Sequence, residues 1–306
     1  MKTLKTHSET AVRADSFIAE AIGVSRSKAQ KAIKNGSILV DNQKILVKTL
    51  LEGEFTITYD FSEFVVEKDT SAPLPPLSIL FENDDVIVID KQAGVLVHEN
   101  DTSTEQTIAD SLVDYCPQIA NVGDKPAIRP GIVHRLDKDA SGVLITAKTP
   151  EAYTHLKRQF KQRLTKKVYT VLVHGTFERA YGTFNFPISR SKSHGRMAAK
   201  PESQGGKEAI THYTVREEFS HFSLLDVHIE TGRTHQIRVH MFASDHPVVG
   251  DRLYRQKNAK QDELDRLFLH AAKLTIDLPS GETAEFEAPL PEELQNFLLD
   301  LPKPLA

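Results

Sequence analysis

Two polar runs in this chain carry the residue types a reaction centre would need. The first is R-P-G-I-V-H-R-L-D-K-D-A-S-G-V-L-I-T-A-K, Arg129 to Lys148, where His134, Arg135, Asp137, Lys138 and Asp139 crowd between apolar stretches beside Gly131 and Gly142. Charge packed between strands is expected of a loop held out by a scaffold, and function concentrates on such loops. A turn knitted by surface ion pairs is the plainer reading, and spacing alone favours it, since such pairs are common and contribute little. The second run is H-I-E-T-G-R-T-H-Q-I-R-V-H-M-F-A-S-D-H-P-V-V-G-D, His228 to Asp251. It reads as a strand, a Gly turn and a short helix that Thr234 caps, carrying Gln236, Arg238 and His240. Arg238 would then point back toward the first loop. If it meets Asp137, its guanidinium favours the ionised carboxylate and fixes its direction through a bidentate bond. His134, His235 and His240 lack carboxylate or thiolate partners at recognised ligand spacing, so structural or surface roles are expected of them and no metal.

The elements that must position these runs follow from periodicity. Val86–Ile89 and Val143–Ile145 are apolar runs fit for buried strands, and a turn at Gly94 leads to Leu96 and Val97. Ala152 to Leu164 predicts a helix with Leu156, Phe160 and Leu164 on one face and basic residues on the others. Val168 to Val173 alternates as a strand, and Leu225, Val227 and Ile229 share a strand face opposite Asp226 and His228. Strands outnumber helices and are joined by short turns, which points to an α+β domain with a mixed, largely antiparallel sheet. The weakly patterned stretch from Arg190 to Lys207 reads as a long surface loop.

Ahead of this domain, Asp15 is expected to cap a helix running through Ile22, and Ser25 a second helix that Gly36 ends. Ala29, Ala32 and Ile33 keep helical spacing for burial. Short strands are expected at Ile38–Val40, Ile45–Val47 and Phe55–Thr58, around a turn at Asp41-Asn42. These make a small ααβ domain over residues 1–67. The Pro-rich segment K-D-T-S-A-P-L-P-P-L, residues 68–77, is a semi-rigid connector, which leaves residues 78–306 for the larger domain.

At 306 residues two domains are the natural expectation. The net charge of -4 speaks against a nucleic-acid binder when taken alone. Its distribution does not. Arg26, Lys28, Lys31 and Lys34 form one basic stretch; Lys157, Arg158, Lys161, Arg163, Lys166 and Lys167 form a second; Arg190, Lys192, Arg196 and Lys200 form a third. Acids gather late, at Asp277, Glu282, Glu285, Glu287, Glu292 and Glu293, so a basic face and an acidic back are expected. Solvated helix faces would give the same runs. The lone Cys116 excludes a disulfide framework and a cysteine-cluster zinc site, and no apolar run of signal or spanning length is found, so the expected location is the cytoplasm.

The segment V-S-R-S-K-A-Q-K-A-I-K-N-G-S-I-L-V-D-N, Val24 to Asn42, resembles the RNA-binding module named after ribosomal protein S4. Behind this S4-like domain come H-R-L-D at His134–Asp137, K-K-V-Y at Lys166–Tyr169, and T-G-R-T-H-Q-I-R-V-H followed by H-P-V-V-G-D. In that order they resemble the RluA/RluD-type family of pseudouridine synthases over nearly the whole chain. P-I-S-R at Pro187–Arg190, T-H-Y at Thr211–Tyr213, L-H-A, and A-P-L-P at Ala288–Pro291 agree with it. Ala140 stands where that family usually has Thr, and Gln92 where K-P-A-G is usual; both bear on loop stiffness and substrate choice rather than on the carboxylate.

The resemblance implies the pseudouridine synthase fold and an isomerisation that breaks the uridine N1–C1′ bond, turns the base and rejoins it through C5. No cofactor is needed. It makes Asp137 the essential nucleophile or base, Arg238 its partner, Tyr169 the aromatic that stacks on the target base, and Arg135 the residue that fills the vacated stack or holds a phosphate. The base must be flipped out of its helix, at a cost of a few kcal/mol. The implied partner is RNA, with large-subunit ribosomal RNA favoured over transfer RNA, by a monomeric enzyme with Arg26, Lys28, Lys31 and Lys34 binding RNA from the N-terminal domain. A non-enzymatic RNA-binding protein would have no reason to hold Asp137, Tyr169 and Arg238 together. A methyltransferase carrying the same module would need a Gly-rich cofactor loop after a strand, which is not found. Metal-dependent hydrolysis has no ligand set.

Overall fold

The computed structural model describes residues 1–60, 71–99, 103–191, 195–255 and 264–304. Lys192, residues 61–67 and connector residues 68–70 lie outside these ranges. The chain divides into two compact units, 1–72 with 99–105, and 73–98 with 106–306.

The first unit runs β1 (Lys2–Arg13), α1 (Ala14–Ala21), α2 (Arg26–Asn35), β2 (Ile38–Val40) and β3 (Leu50–Tyr59). Its three strands pair antiparallel in the order β1-β3-β2. Ser25 caps α2 by accepting from the Lys28 amide at 3.1 Å, and Gly36 closes it at φ 78°, a backbone state that glycine adopts without strain. Ala29, Ala32 and Ile33 face the core as their spacing requires.

Two expectations fail in this unit, and one strand was not foreseen. Asp15 does not cap α1: Arg13 is the N-cap, and the buried Asp15 carboxylate accepts instead from Arg13 Nε (3.0 Å), Arg26 Nε (2.8 Å) and Gln30 Nε2 (2.6 Å). These bonds, the one from Arg13 foremost, hold it far below the usual carboxylate range. Ile45–Val47 is not a strand, although both end residues pack against the core. The long strand β1 was not expected at all, because its sequence K-T-L-K-T-H-S-E-T-A-V-R has too few apolar residues to alternate, and it lies largely exposed at the sheet edge.

The second unit comprises β4 (Ser78–Glu82), β5 (Val86–Lys91), α3 (Ile108–Tyr115), β6 (Ser141–Ala147), α4 (Pro150–Gln162), β7 (Lys166–His174), β8 (Tyr181–Asn185), β9 (Ile188–Arg190), β10 (Met197–Ala199), β11 (Ile210–Glu218), β12 (Phe222–Ile229), α5 (Gln236–Ala243), β13 (Leu269–Asp277), β14 (Thr283–Glu287) and α6 (Glu292–Leu299). A nine-stranded sheet has the order β4-β5-β6-β13-β7-β12-β11-β8, with β14 on β13. Among the described strands only β6 and β13 pair parallel, so the expected α+β class with a mixed, largely antiparallel sheet is what forms.

Gly142 allows that parallel contact. At φ 111° it lies so close to β13 that a Cβ would stand 2.2 Å from the Ala271 carbonyl oxygen. The middle of the sheet is covered on both faces: all of β6 is buried, and so is β7 from Tyr169 to Val173, so the alternation expected of β7 is absent. One apolar cluster joins Ile87, Ile89, Leu112, Leu144, Tyr169, Val171, Leu225 and Ile237, and another joins Val88, Val143, Ile145, Leu156, Leu274 and Phe286. Residues 190–207 are not a plain loop: β9 and β10 pair antiparallel, and a 3₁₀ turn follows at Glu202–Gln204. Pro75, in the Pro-rich segment, accepts from Ser111 Oγ at 2.7 Å. No described helix is long and apolar enough to cross a membrane.

Candidate active site

The H-R-L-D loop precedes β6 and is tied down from several sides. His134 Nε2 accepts from the Ile145 amide of β6 at 3.0 Å, and its ring stacks on Phe160 of α4 with centroids 4.4 Å apart. Burial, then the Lys167 charge, pushes this imidazole down to about 3, so it stays neutral and serves as an acceptor. On the other side, the wholly buried Lys91 at the end of β5 donates to the carbonyls of Gln92 (2.7 Å), Val95 (2.9 Å) and Lys138 (3.1 Å). Burial lowers Lys91 to about 7, against the charges of Asp139 and Asp137. Three carbonyl acceptors nevertheless occupy all three ammonium hydrogens, and that geometry favours the charged form. The Lys138 carbonyl also accepts from Gly94 N at 2.8 Å, so both chain segments flanking Asp137 are fixed by bonds to the sheet or its turns.

Between these anchors Asp137 reaches Arg238. Arg238 Nη1 donates to Asp137 Oδ2 at 3.2 Å, as expected, but through one bond rather than two. The guanidinium's fork goes to Asp251 instead, with Nε on Oδ2 at 2.7 Å and Nη2 on Oδ1 at 2.9 Å. Asp251 is fully buried and also accepts from the amides of Leu253 and Tyr254 at 2.8 and 2.9 Å. The Tyr254 ring lies 5.2 Å from the Arg238 guanidinium and 5.1 Å from that of Arg196. Burial opposes the Arg238 charge, and the bonds and charges of Asp251 and then Asp137 more than offset it, so its affinity for the proton rises. Asp251 therefore holds the cation and Arg238 presents its remaining edge to Asp137, whose side chain keeps 14% exposure, enough to meet a substrate.

The helix carrying Arg238 starts differently from expectation. Thr234 does not cap α5; His235 occupies the N-cap at φ 58° without a side-chain cap bond. Gln236 Oε1 knits the turn by accepting from Thr231 Oγ1 (2.7 Å) and the Arg233 amide (3.0 Å). His235 Nδ1 pairs with the Tyr254 hydroxyl at 2.9 Å, and His240 is buried between Thr211 Oγ1 and the Phe186 carbonyl, both at 2.9 Å. Burial lowers both imidazoles. Among the described residues no group of His, Cys, Asp and Glu could hold a metal ion.

Asp137, Arg238, Tyr169 and Arg135 line one cavity of about 450 Å³, together with Lys161, Arg163, Lys167 and Arg233. That volume is in the range of small-ligand pockets. Tyr169 forms a wall of it from β7; burial, then the Asp137 charge, lifts its phenol well above the usual range, so it is a neutral aromatic face. Arg135 is exposed. Through His235 and Arg238 the cavity adjoins a groove of about 1410 Å³. Arg26, Lys28, Lys31 and Lys34 lie on α2 of the first unit, with Lys31 and Lys34 exposed and Arg26 bonded to Asp15. Sequence reasoning missed Asp251 as the holder of Arg238 and Lys91 as the anchor of the loop. Asp251 could have been suspected from its place as a polar residue closing the apolar H-P-V-V-G-D run.

One oriented carboxylate beside a neutral aromatic wall, in a cavity rimmed by cations, defines a site for a planar, neutral ring carried on a polyanion. The RNA pseudouridylate synthase family model matches residues 85–243, and the chain belongs to that family. It is 39% identical over 282 residues to the ribosomal large subunit pseudouridine synthase D of Nitrosomonas europaea, across 90% of this chain and 79% of that protein. With an uncharacterized RNA pseudouridine synthase of Synechocystis it shares 36% identity, across 95% of this chain and 89% of the other. The solved structure of human RNA Pseudouridylate Synthase Domain Containing 1 matches with a TM-score of 0.60 at 27% identity, over 76% of this chain and 99% of that one. The protein is an RNA pseudouridine synthase, and RNA is its substrate.

Proposed function

We propose that this enzyme isomerises uridines of large-subunit ribosomal RNA, with Asp137 as its catalytic carboxylate. The carrying observation is the Arg238–Asp137 bond at 3.2 Å inside the cavity that Tyr169 walls. Arg238, clamped by Asp251, holds Asp137 aimed at the ribose, where it either bonds C1′ or takes a proton from C2′. The uracil enters flipped and stacks on Tyr169. Arg135, exposed at the mouth, takes the vacated stack or a phosphate. Residues 1–67 act as an S4-like RNA-binding domain and 78–306 as the catalytic domain, joined by the connector at 68–77. Arg26, Lys28, Lys31 and Lys34 on α2 add affinity for phosphates rather than chemistry. The reading takes the protein as a cytoplasmic monomer. Ribosomal RNA is favoured because a similar protein is named for the large ribosomal subunit.

The test incubates wild type and Asp137→Asn with ribosomal and transfer RNA transcripts carrying tritium at uridine C5, follows tritium release, and maps the modified sites. Wild type should release tritium from large-subunit RNA. Asp137→Asn should bind that RNA and release none. Turnover by Asp137→Asn would refute the assignment, and release from transfer RNA alone would refute the substrate. Lys31→Glu with Lys34→Glu should weaken binding and flatten its salt dependence while the saturated single-turnover rate stays the same.

A further inference from the structure

Four cations of the cavity wall have no part in the scheme so far: Arg163, which pairs with Glu208, Arg233, whose Nε donates to the Glu208 carbonyl at 2.8 Å, the exposed Lys161, and Lys167. Lys167 stands two positions before Tyr169 on β7, and the period of a strand puts the two side chains on one face. Both line the cavity with Asp137. Its ammonium makes no hydrogen bond or ion pair among the described residues. Its charge acts with Arg163 and on the His134 ring, and Glu230 of the same cavity wall is bonded to His212 Nε2 at 2.9 Å. Neither Arg163 nor His134 accepts from it: Arg163 is a cation, and the one acceptor nitrogen of His134 already takes the Ile145 amide. Burial and then Arg163 push the amine down to about 8, as befits a half-buried cation without an acceptor. Arg135, Lys161 and Arg163 are the exposed cations of the cavity, placed for phosphates; Lys167 is half-buried in its wall, beside the face on which the base would stack.

We infer that Lys167 donates a hydrogen bond to the uracil carbonyl on which negative charge gathers as the base detaches. This rests on the reading of the Asp137 cavity as the active site. When N1–C1′ breaks, its electron pair leaves with the base, giving a uracil anion with charge shared among N1, O2 and O4. The deficit at C1′ is met by Asp137, through a bond from its oxygen or by uptake of the C2′ proton, and is undone when the new bond forms. C5 then supplies the electron pair for C5–C1′, its proton passes to solvent and N1 takes one up, so the sum is an isomerisation. A bond that strengthens as charge develops on the carbonyl lowers the barrier rather than the ground state.

The experiment compares wild type, Lys167→Met and Asp137→Asn on RNA carrying uridine or 5-fluorouridine at the target, in single turnover at saturating RNA. Products are read by chromatography of the digested nucleosides. Uridine gives pseudouridine. From 5-fluorouridine, whose C5 has no proton to lose, comes the C5–C1′-rejoined nucleoside that keeps its fluorine and takes up water across N1 and C6. Fluorine makes the departing base a weaker base, so it depends less on a donor. Lys167→Met should lose about 10²-fold with uridine, a typical loss for one such donor, and clearly less with 5-fluorouridine, while RNA affinity stays within about twofold. Equal losses on both substrates would overturn the inference, as would a loss confined to affinity, which would mark a phosphate contact. Asp137→Asn separates the two levels: turnover there removes the active-site reading itself, whereas inactivity leaves Lys167 alone in question. If Lys167→Met does not fold, Lys167→Leu, which likewise has no donor, carries the same comparison.

Discussion

Replacing Arg238 by Met tests whether this residue serves the fold or the chemistry. The side chains of Arg238 and Asp251 are 6% and 0% exposed, so Arg238→Met strands a carboxylate in the interior. Removing one partner of a buried pair costs about 3–5 kcal/mol. For a unit of this size each kcal/mol shifts the melting midpoint by about 2–4 °C, so a drop of roughly 6–20 °C is expected. Adding Asp251→Asn removes the stranded charge, while the amide oxygen still accepts from Leu253 N and Tyr254 N. What remains is an amide N–H₂ without a partner, at about 1–3 kcal/mol, so the double variant should regain about 2 kcal/mol over the single one. Asp137 has lost its cation in both. Its single-turnover rate should therefore fall about 10²–10³-fold in both variants, the range for removing one electrostatic contact at a reacting group. Thermal melts beside tritium release at saturating RNA separate the two quantities. If activity returns along with stability in the double variant, Arg238 acts through the fold and the proposed pairing with Asp137 is wrong.

Two further expectations concern the cavity walls. Tyr169→Phe should keep most activity and Tyr169→Ala should lose about 1–3 kcal/mol of base stacking, seen as weaker productive binding in single turnover; equal losses would point to the hydroxyl instead. His134 titrates at about 3 in the folded protein against an ordinary 6.5, so below pH 6.5 the unfolded chain takes up a proton that the native one refuses. Its stabilising contribution is full above pH 6.5 and is lost as pH falls toward 3. Urea unfolding of wild type should lose about 1.5 kcal/mol more than that of His134→Gln between pH 6.5 and 5, and parallel pH curves would show that His134 is already charged in the native state.

The parts of this site that could be read in advance are those whose partners are also side chains of distinctive type. Arg238 and Asp137 are separated by 101 residues, and spacing alone favours a surface turn; two complementary charges, together with the ordered segments that resemble the family, make their pairing an expectation. Asp251 has the same chemistry and was still missed, because the direction of the guanidinium fork depends on how α5 meets the turn at Leu253 and Tyr254, and no periodicity encodes that. Lys91 was beyond reach for a different reason. Its acceptors are the carbonyls of Gln92, Val95 and Lys138, and every residue carries a carbonyl, so residue identity leaves no trace of the partnership. Only Val86–Ile89 was expected as the strand, and burying an ammonium at its end contradicts the pattern on which that expectation rested.

The same distinction accounts for Gln92, where proline is usual in the resembling family. Its side chain is not what the loop uses: its carbonyl receives Lys91 at 2.7 Å, and a prolyl carbonyl could do the same. For Asp15 the error ran the other way. An acid just ahead of an apolar run reads as a cap, but an arginine two residues before it and another eleven after it compete for the same oxygens. The ion pairs win because a buried carboxylate with two guanidinium donors and an amide is better satisfied than by a single backbone N–H. A basic helix read as an RNA surface thus has a cation, Arg26, engaged in holding its own unit together, and the affinity assigned to α2 falls mainly on the exposed Lys31 and Lys34.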